Sequence, residues 1–288
     1  MTRSNVSAET GVAGVDVGST LTKYVLRAPD GNTQFGILPR GARSELRQRL
    51  VDAGCRLLGA TGGGARQLVQ EQAASALVVD EFEAWAAGAR GLLAAEDAQL
   101  SRSRLLVVSL GTGCSALLVD EGRLVRRVGG TGLGGGTLEG LGAALCGTSD
   151  IGELAQLAER GDRARVDLLL SDVYPPGESP VPYAMSISFF ARLAREPGRA
   201  RREDLALGLL VLVGWNVGCL CGALARAEGA ATAVYGGSVL RGNPLLAGLV
   251  QVATGTLGVE ARLPERGEFA GALGALELAE SGDAKRSD

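Results

Sequence analysis

VAGVDVGSTLTKYVLR, residues 12–27, is the stretch from which the fold is read. Small and apolar residues lie on both sides of Gly18, Ser19 and Thr20, the pattern of two strands joined by a tight turn. Within it, Asp16-x-Gly18-x-Thr20-x-x-Lys23 gathers groups suited to phosphate. A bare Gly18 lets backbone N–H groups reach phosphate oxygens, Thr20 adds a hydroxyl, Lys23 a positive charge, and Asp16 can hold Mg²⁺ directly or through water. A second hairpin, LLVVSLGTGCSALLVD at 105–120, turns at Gly111, Thr112 and Gly113. Asp16 and Gly18 map onto Ser109 and Gly111 at an offset of 93 residues, the mark of an internal duplication.

Helical text follows each hairpin: Ser44–Leu58, Gln67–Gln72 and Ala84–Glu96 in the first half, then Gly140–Cys146, Ile151–Arg160, Ser186–Arg195 and Glu203–Glu228 in the second. Strands alternating with helices, built on two copies of one hairpin, predict an α/β protein of two lobes facing each other across a cleft. The expected division is a polar tail over 1–11, a first lobe over 12–100 and a second over 101–288. A last helix at about 271–278 is placed to pack back on the first lobe. Pro175, Pro176, Pro180 and Pro182 mark an irregular loop at the cleft edge.

Composition narrows the function classes. The chain has 288 residues, 46% hydrophobic and 21% charged, enough to bury a sizeable core. Its 29 Lys and Arg are scattered against 32 Asp and Glu, which offers no footprint for nucleic acid. There is no histidine, so acid–base chemistry falls to a carboxylate, Lys, Tyr or Cys. Five cysteines without CxxC pairing read as reduced and mostly buried. Leu205–Ala225 carries no charge over a length that could span a bilayer, but Asn216 at its middle and the lack of a second such segment favour a buried helix and no membrane association. Gly214, Gly218 and Gly222 share one face of it, suited to tight packing inside a lobe or at a dimer interface.

Gly236, Gly237 and Ser238 follow the strand text Thr232–Tyr235, where an adenosine could lie against bare backbone. These three glycine-rich turns resemble the phosphate-1, phosphate-2 and adenosine loops of the actin-like ATPases, which include sugar kinases, heat-shock 70 chaperones and actin. That resemblance implies a duplicated, ribonuclease H-like fold with ATP in the cleft between lobes. A fourth motif, RVGGTGLGGGTLEGL at 127–141, holds too many glycines for a regular element and runs into a helix whose N-terminus suits an anion. It resembles the signature of type II pantothenate kinases, and similarity continues through segments such as ERGD at 159–162, VDLLLSDVY at 166–174, YGGSVLRGNP at 235–244 and EFAGALGA at 268–275, covering roughly 12 to 278.

For a base, the residues themselves leave Asp80, Glu81 and Glu83 open, each equally readable as a helix-capping acid. The resemblance implies Glu81 as general base and Arg127 as the group that pairs with substrate oxygens or with charge on the transferred phosphoryl group. It places Asp16, Gly18, Ser19, Thr20, Lys23, Thr112, Gly134, Gly135, Gly136, Thr137, Leu138, Ile151, Gly236, Gly237 and Ser238 around ATP, with Ser115, Arg127, Gly130 and Thr131 around pantothenate. Mg²⁺ would lie near Asp16. The implied activity is ATP-dependent phosphorylation of the pantothenate 4′-hydroxyl at the start of coenzyme A synthesis, by a cytoplasmic homodimer, with pantetheine or pantothenamides as candidate further acceptors; coenzyme A or its thioesters are candidate feedback ligands, which the sequence leaves open. Two positions depart from the family pattern: Ile151 stands where members carry an aromatic, and Gly132 where many carry Ser. The competing readings are a sugar-type kinase, a nucleotide-binding regulator, and the ATPase that activates 2-hydroxyacyl-CoA dehydratases. That ATPase needs cysteines for an iron–sulfur cluster, and Cys219 and Cys221, two apart on a helix, cannot share a face.

Overall fold

The computed structural model describes residues 11–71, 75–178, 182, 185–196 and 198–282. Most of the expected tail and part of the proline loop, including Pro180, lie outside them. The chain opens with β1 (Gly11–Val17), β2 (Leu21–Arg27) and β3 (Thr33–Pro39), then α1 (Arg43–Asp52), β4 (Cys55–Thr61), α2 (Ala65–Gln70), β5 (Ser75–Val78) and α3 (Glu81–Glu96). It repeats with β6 (Leu105–Leu110), β7 (Cys114–Asp120) and β8 (Arg123–Thr131), followed by α4 (Gly135–Leu141) and α5 (Ile151–Ala158). After them come β9 (Leu168–Leu169), β10 (Ser186–Ser188), α6 (Ala191–Arg195), α7 (Arg202–Ala227), β11 (Thr232–Gly236), α8 (Pro244–Gly255), β12 (Glu260–Arg262) and α9 (Ala270–Ser281).

One five-stranded sheet runs β3-β2-β1-β4-β5 and the other β8-β7-β6-β11-β12. In each, three antiparallel strands continue into two parallel ones, so the two halves share one topology. The offset of 93 carries β2 onto β7 residue for residue. Both central strands, β1 and β6, are covered on both faces, as a sheet flanked by helices requires.

Helices α3 and α9 pack closely on each other, and α9 also rests on β1 and β4 of the first sheet, while α3 reaches β6 and β8 of the second. Glycines permit the approach: a Cβ on Gly88 would lie 1.8 Å from the Ala270 carbonyl oxygen, and one on Gly274 1.8 Å from that of Ala84. On β1 and β4, Gly14 and Gly59 admit α9 in the same way.

Three sequence expectations change. The helix expected over Ser44–Leu58 stops at Asp52, because Gly54 takes a left-handed φ of 62° and redirects the chain into β4. The helix expected over Ser186–Arg195 is a short strand and a five-residue helix, since buried Asp167 accepts hydrogen bonds from Ser186 Oγ (2.6 Å) and the Phe190 amide (3.0 Å). The glycine face of α7 is covered within its own lobe: Cβ atoms at Gly214 and Gly218 would lie 2.9 Å from Leu246 and 2.6 Å from Ala253 of α8. It is therefore not open to a dimer partner. By length and composition α7 could cross a membrane, yet Leu209, Leu210, Val213 and Val217 on it are wholly enclosed by protein.

Candidate active site

Between the two sheets lies a cleft of about 810 Å³, and the repeated hairpin turns meet across it. The β1–β2 turn is held by the Gly18 amide on the Leu21 carbonyl (3.0 Å), leaving Ser19 and Thr20 exposed at its tip. The β6–β7 turn is held by the Gly111 amide on the Gly113 carbonyl (2.9 Å). Ser19 Oγ and Thr112 Oγ1, equivalent residues of the duplication, stand 2.5 Å apart.

Beneath the first turn, Asp16 and Lys23 face each other in register on β1 and β2, both buried, with Nζ 3.6 Å from Oδ2. Burial raises the Asp16 pKa, and the Lys23 charge and hydrogen bond oppose it. Backbone crowds this carboxylate, because Cβ atoms at Gly62 and Gly271 would come within 2.8 and 3.0 Å of its oxygens.

The structure separates the three acids before α3. Asp80 is the helix cap, its carboxylate accepting the amides of Phe82 (2.9 Å) and Glu83 (3.0 Å). Of the three, only Glu81 forms part of the cleft wall. Its pKa is raised by desolvation first, then by the charges of Asp16 and Asp80, with Lys23 pulling the other way.

Ser115 and Thr131 line the cleft on β7 and at the end of β8. Arg127 lies on β8 outside the immediate wall, its guanidinium beside Gly130, where a Cβ would fall 2.7 Å from Nη2 and 2.3 Å from the Cys114 carbonyl oxygen. Gly130 is thus required for close packing behind the wall. Arg127 makes no hydrogen bond or ion pair with a described residue, whereas neighbouring Arg126 is held by Glu228 at 2.7 Å.

On the far side, Gly237 has φ 130° and sits so close to Leu110 that a Cβ would lie 2.0 Å from its carbonyl oxygen, so only glycine can form this loop. Gly237 and Ser238 face the cleft, but Gly236 is pressed against Gly267 and Trp85 behind it. Ile151 and Val239 flank Gly135, giving the slot an aliphatic wall.

In the glycine run at 134–136, Gly135 forms part of the cleft wall, but the backbone amides have partners within the protein. The Gly135 and Gly136 amides are already donated to the carbonyls of Gly111 (2.8 Å) and Thr112 (2.9 Å), and the Gly134 amide faces Thr137 Oγ1 (3.4 Å). The Gly135 and Gly136 amides buttress the β6–β7 turn, and a bare Cα is needed at Gly134 because a Cβ there would meet that turn at 2.7 Å. Thr137 Oγ1 ties back to the Gly132 carbonyl (3.0 Å), and the Leu138 side chain is fully buried in the second core, out of reach of any ligand. Sequence reasoning missed Arg40, Trp85 and Arg241 as wall residues. Arg40 reaches the Ser19 carbonyl at 3.4 Å from the end of a strand, β3, that had no sequence signal strong enough to place it.

Two duplicated sheets, hairpin turns meeting over a buried carboxylate and an opposed glycine loop define a two-lobed, actin-like nucleotide-binding protein. Solved structures agree on the fold: a component of (R)-2-hydroxyglutaryl-CoA dehydratase from Acidaminococcus fermentans superposes with a TM-score of 0.65 at 18% identity, over 96% of this chain and 100% of that one. A ROK family glucokinase from Streptomyces griseus, solved with glucose and AMPPNP, gives 0.59 at 15% identity, over 94% and 100%. Sequence comparison is more specific. The Fumble family model matches residues 40–277, and a type II pantothenate kinase from Staphylococcus saprophyticus is 30% identical over 266 residues, 92% of this chain and 99% of its own. The chain belongs to the Fumble family, the type II pantothenate kinases.

Proposed function

We propose that this protein transfers the γ-phosphoryl group of ATP to the 4′-hydroxyl of pantothenate, the entry step of coenzyme A synthesis. The observation that carries the reading is Glu81, the one acid of its cluster in the cleft wall, in the same cleft as the Asp16–Lys23 pair and the two opposed turns. ATP would lie with its phosphates between the Ser19–Thr20 and Thr112 tips and its adenosine against Gly237, Ser238 and Ile151. Pantothenate would occupy the side lined by Ser115 and Thr131, within reach of Arg127.

Glu81 would accept the hydroxyl proton as the alcohol oxygen attacks phosphorus; its raised affinity for a proton suits a base that must take one up. Arg127, unpaired among described residues, would close its planar fork on pantothenate or on the charge spreading over the phosphoryl oxygens. Asp16 supplies hard carboxylate oxygens in a glycine-lined cradle, which fits Mg²⁺ held directly or through water. Bound there, the ion would neutralise charge between the β- and γ-phosphates. Most of the rate enhancement would come from alignment and electrostatics, as phosphoryl transfer asks for little else.

A cytoplasmic homodimer, and inhibition by coenzyme A or its thioesters, belong to the same reading, since those products retain the pantothenate moiety. ADP release by the purified protein with Mg-ATP, comparing pantothenate with a sugar panel, tests it. Pantothenate-dependent turnover is expected; turnover with a sugar alone would replace the acceptor, and none with any acceptor would leave a nucleotide-binding regulator.

A further inference from the structure

A buried thiol pair beneath the cleft takes no part in that reaction. Cys114 is the first residue of β7, directly after the Gly111–Gly113 turn, and it forms part of the cleft wall at 5% exposure. Its Sγ lies 3.9 Å from Sγ of Cys221 on α7, which is fully enclosed. Tyr235, the residue before the Gly236–Ser238 loop, completes the group: it is buried in the same core cluster as both cysteines, and its hydroxyl stands 2.6 Å from Thr254 Oγ1. The pair therefore joins the roots of both nucleotide-facing loops of the second lobe.

The two sulfurs are not alike. The Cys221 hydrogen bond, then the Arg127 charge and the Thr131 amide, pull the Cys114 pKa down against burial, while Cys221 is pushed up by its hydrogen bond to Cys114 and by burial. Cys114 is the one that opens to the cleft, where peroxide can reach it, while Cys221 is enclosed behind it, so Cys114 is placed to attack first. All five cysteines are free, and Cys219, also on α7, is only half-buried.

We propose that Cys114 and Cys221 form a peroxide-oxidisable pair whose disulfide weakens nucleotide binding in the cleft. The Cys114 thiolate attacks hydrogen peroxide, the O–O bond breaks, hydroxide leaves and a sulfenic acid forms. The Cys221 sulfur then attacks the Cys114 sulfur; the S–S bond forms as the S–O bond breaks, and the departing hydroxide leaves as water with the Cys221 proton. Two thiols lose two electrons to one peroxide, and two waters result. A disulfide brings sulfurs to about 2.0 Å, so they must close by roughly 2 Å, drawing on the β6–β7 turn and on Tyr235. A displacement of about 1 Å in a positioning loop is enough to cost up to about 10²-fold in function.

This rests on reading the cleft as an ATP site, and the test separates the two. The full-length protein is treated with hydrogen peroxide, digested without reductant and examined by mass spectrometry, and Mg-ADP affinity is measured by calorimetry before oxidation, after it, and after dithiothreitol. A peptide joining Cys114 to Cys221, with affinity reduced about tenfold and restored by dithiothreitol, is expected. Cys221→Ala should bind Mg-ADP normally, form no cross-link and lose the reversible effect, and Cys219→Ala should behave as the parent. No cross-link in protein that keeps its near-UV circular dichroism, or a cross-link that leaves affinity unchanged, overturns the inference alone. A reduced protein that binds no nucleotide overturns it together with the ATP reading.

Discussion

At the scale of single residues, the cleft depends on acids whose surroundings differ sharply over a few positions. Asp80 is spent on capping α3 while Glu81, one residue on, faces the cleft. Glu81→Gln keeps the shape and removes the base, so kcat should fall by about 10²- to 10⁴-fold with Tm unchanged. A base must be deprotonated to act, and the Glu81 pKa lies above the ordinary glutamate value of 4.5. The acid limb of the kcat/KM profile should therefore fall above that pH and vanish from the residual activity of the Gln variant; a profile flat down to the ordinary value would remove Glu81 from the role. Arg127→Lys retains charge and loses the planar fork. It should lower kcat/KM for pantothenate by about tenfold or more while leaving Mg-ADP affinity in calorimetry unchanged.

At the scale of elements, stability rests on close helix contacts and on one buried acid. Gly88 and Gly274 let α3 and α9 touch backbone to backbone, so Gly274→Ala must part the helices and should cost about 1–3 kcal/mol in urea unfolding. An unchanged midpoint would show that the crossing is loose. Asp204, fully enclosed at the start of α7, accepts the amides of Asp162 (2.8 Å) and Arg201 (2.9 Å) and pairs with the Arg201 guanidinium (3.1 Å). Burial alone would raise its pKa, but the Arg201 and amide hydrogen bonds prevail and hold it at about 2. Because the folded value lies below the unfolded one, its contribution is present above the unfolded carboxyl pKa and disappears as pH falls through about 2. Allowing for solvent around the half-exposed Arg201, Asp204→Asn should lose about 1–2 kcal/mol at neutral pH, and the gap to the parent should close in acid.

At the scale of the whole molecule, two lobes with one topology meet at the turns, and a ligand bridging them should stabilise both. At about 100 times its Kd, Mg-ATP should add about 2.7 kcal/mol, read as a rise in Tm, whereas a chelator in excess of magnesium should abolish turnover. The duplication was legible in the chain because each hairpin carries its own local signal, apolar runs around a glycine turn, and the offset of 93 held through an entire strand pair. Gly18 and Gly237 were legible for a similar reason, since a bare turn needs glycine wherever the chain goes next. Other features depend on partners far away in sequence. The residues themselves left Asp80, Glu81 and Glu83 open, and beyond the family resemblance it was the placing of the α3 N-terminus that set Glu81 alone of the three in the cleft wall; likewise the Gly135 and Gly136 amides proved committed to a turn more than twenty residues earlier. Helix α7 found its glycine-face partner in α8 rather than in a second chain, and Cys114 met Cys221 across 107 residues. By itself the sequence determined the turns, the residue types able to hold phosphate and the doubled architecture, because these follow from backbone freedom and local periodicity. Only the tertiary structure decided which acid, amide and thiol face the cleft, because each depends on a close contact between distant segments that leaves no mark on the residues beside it.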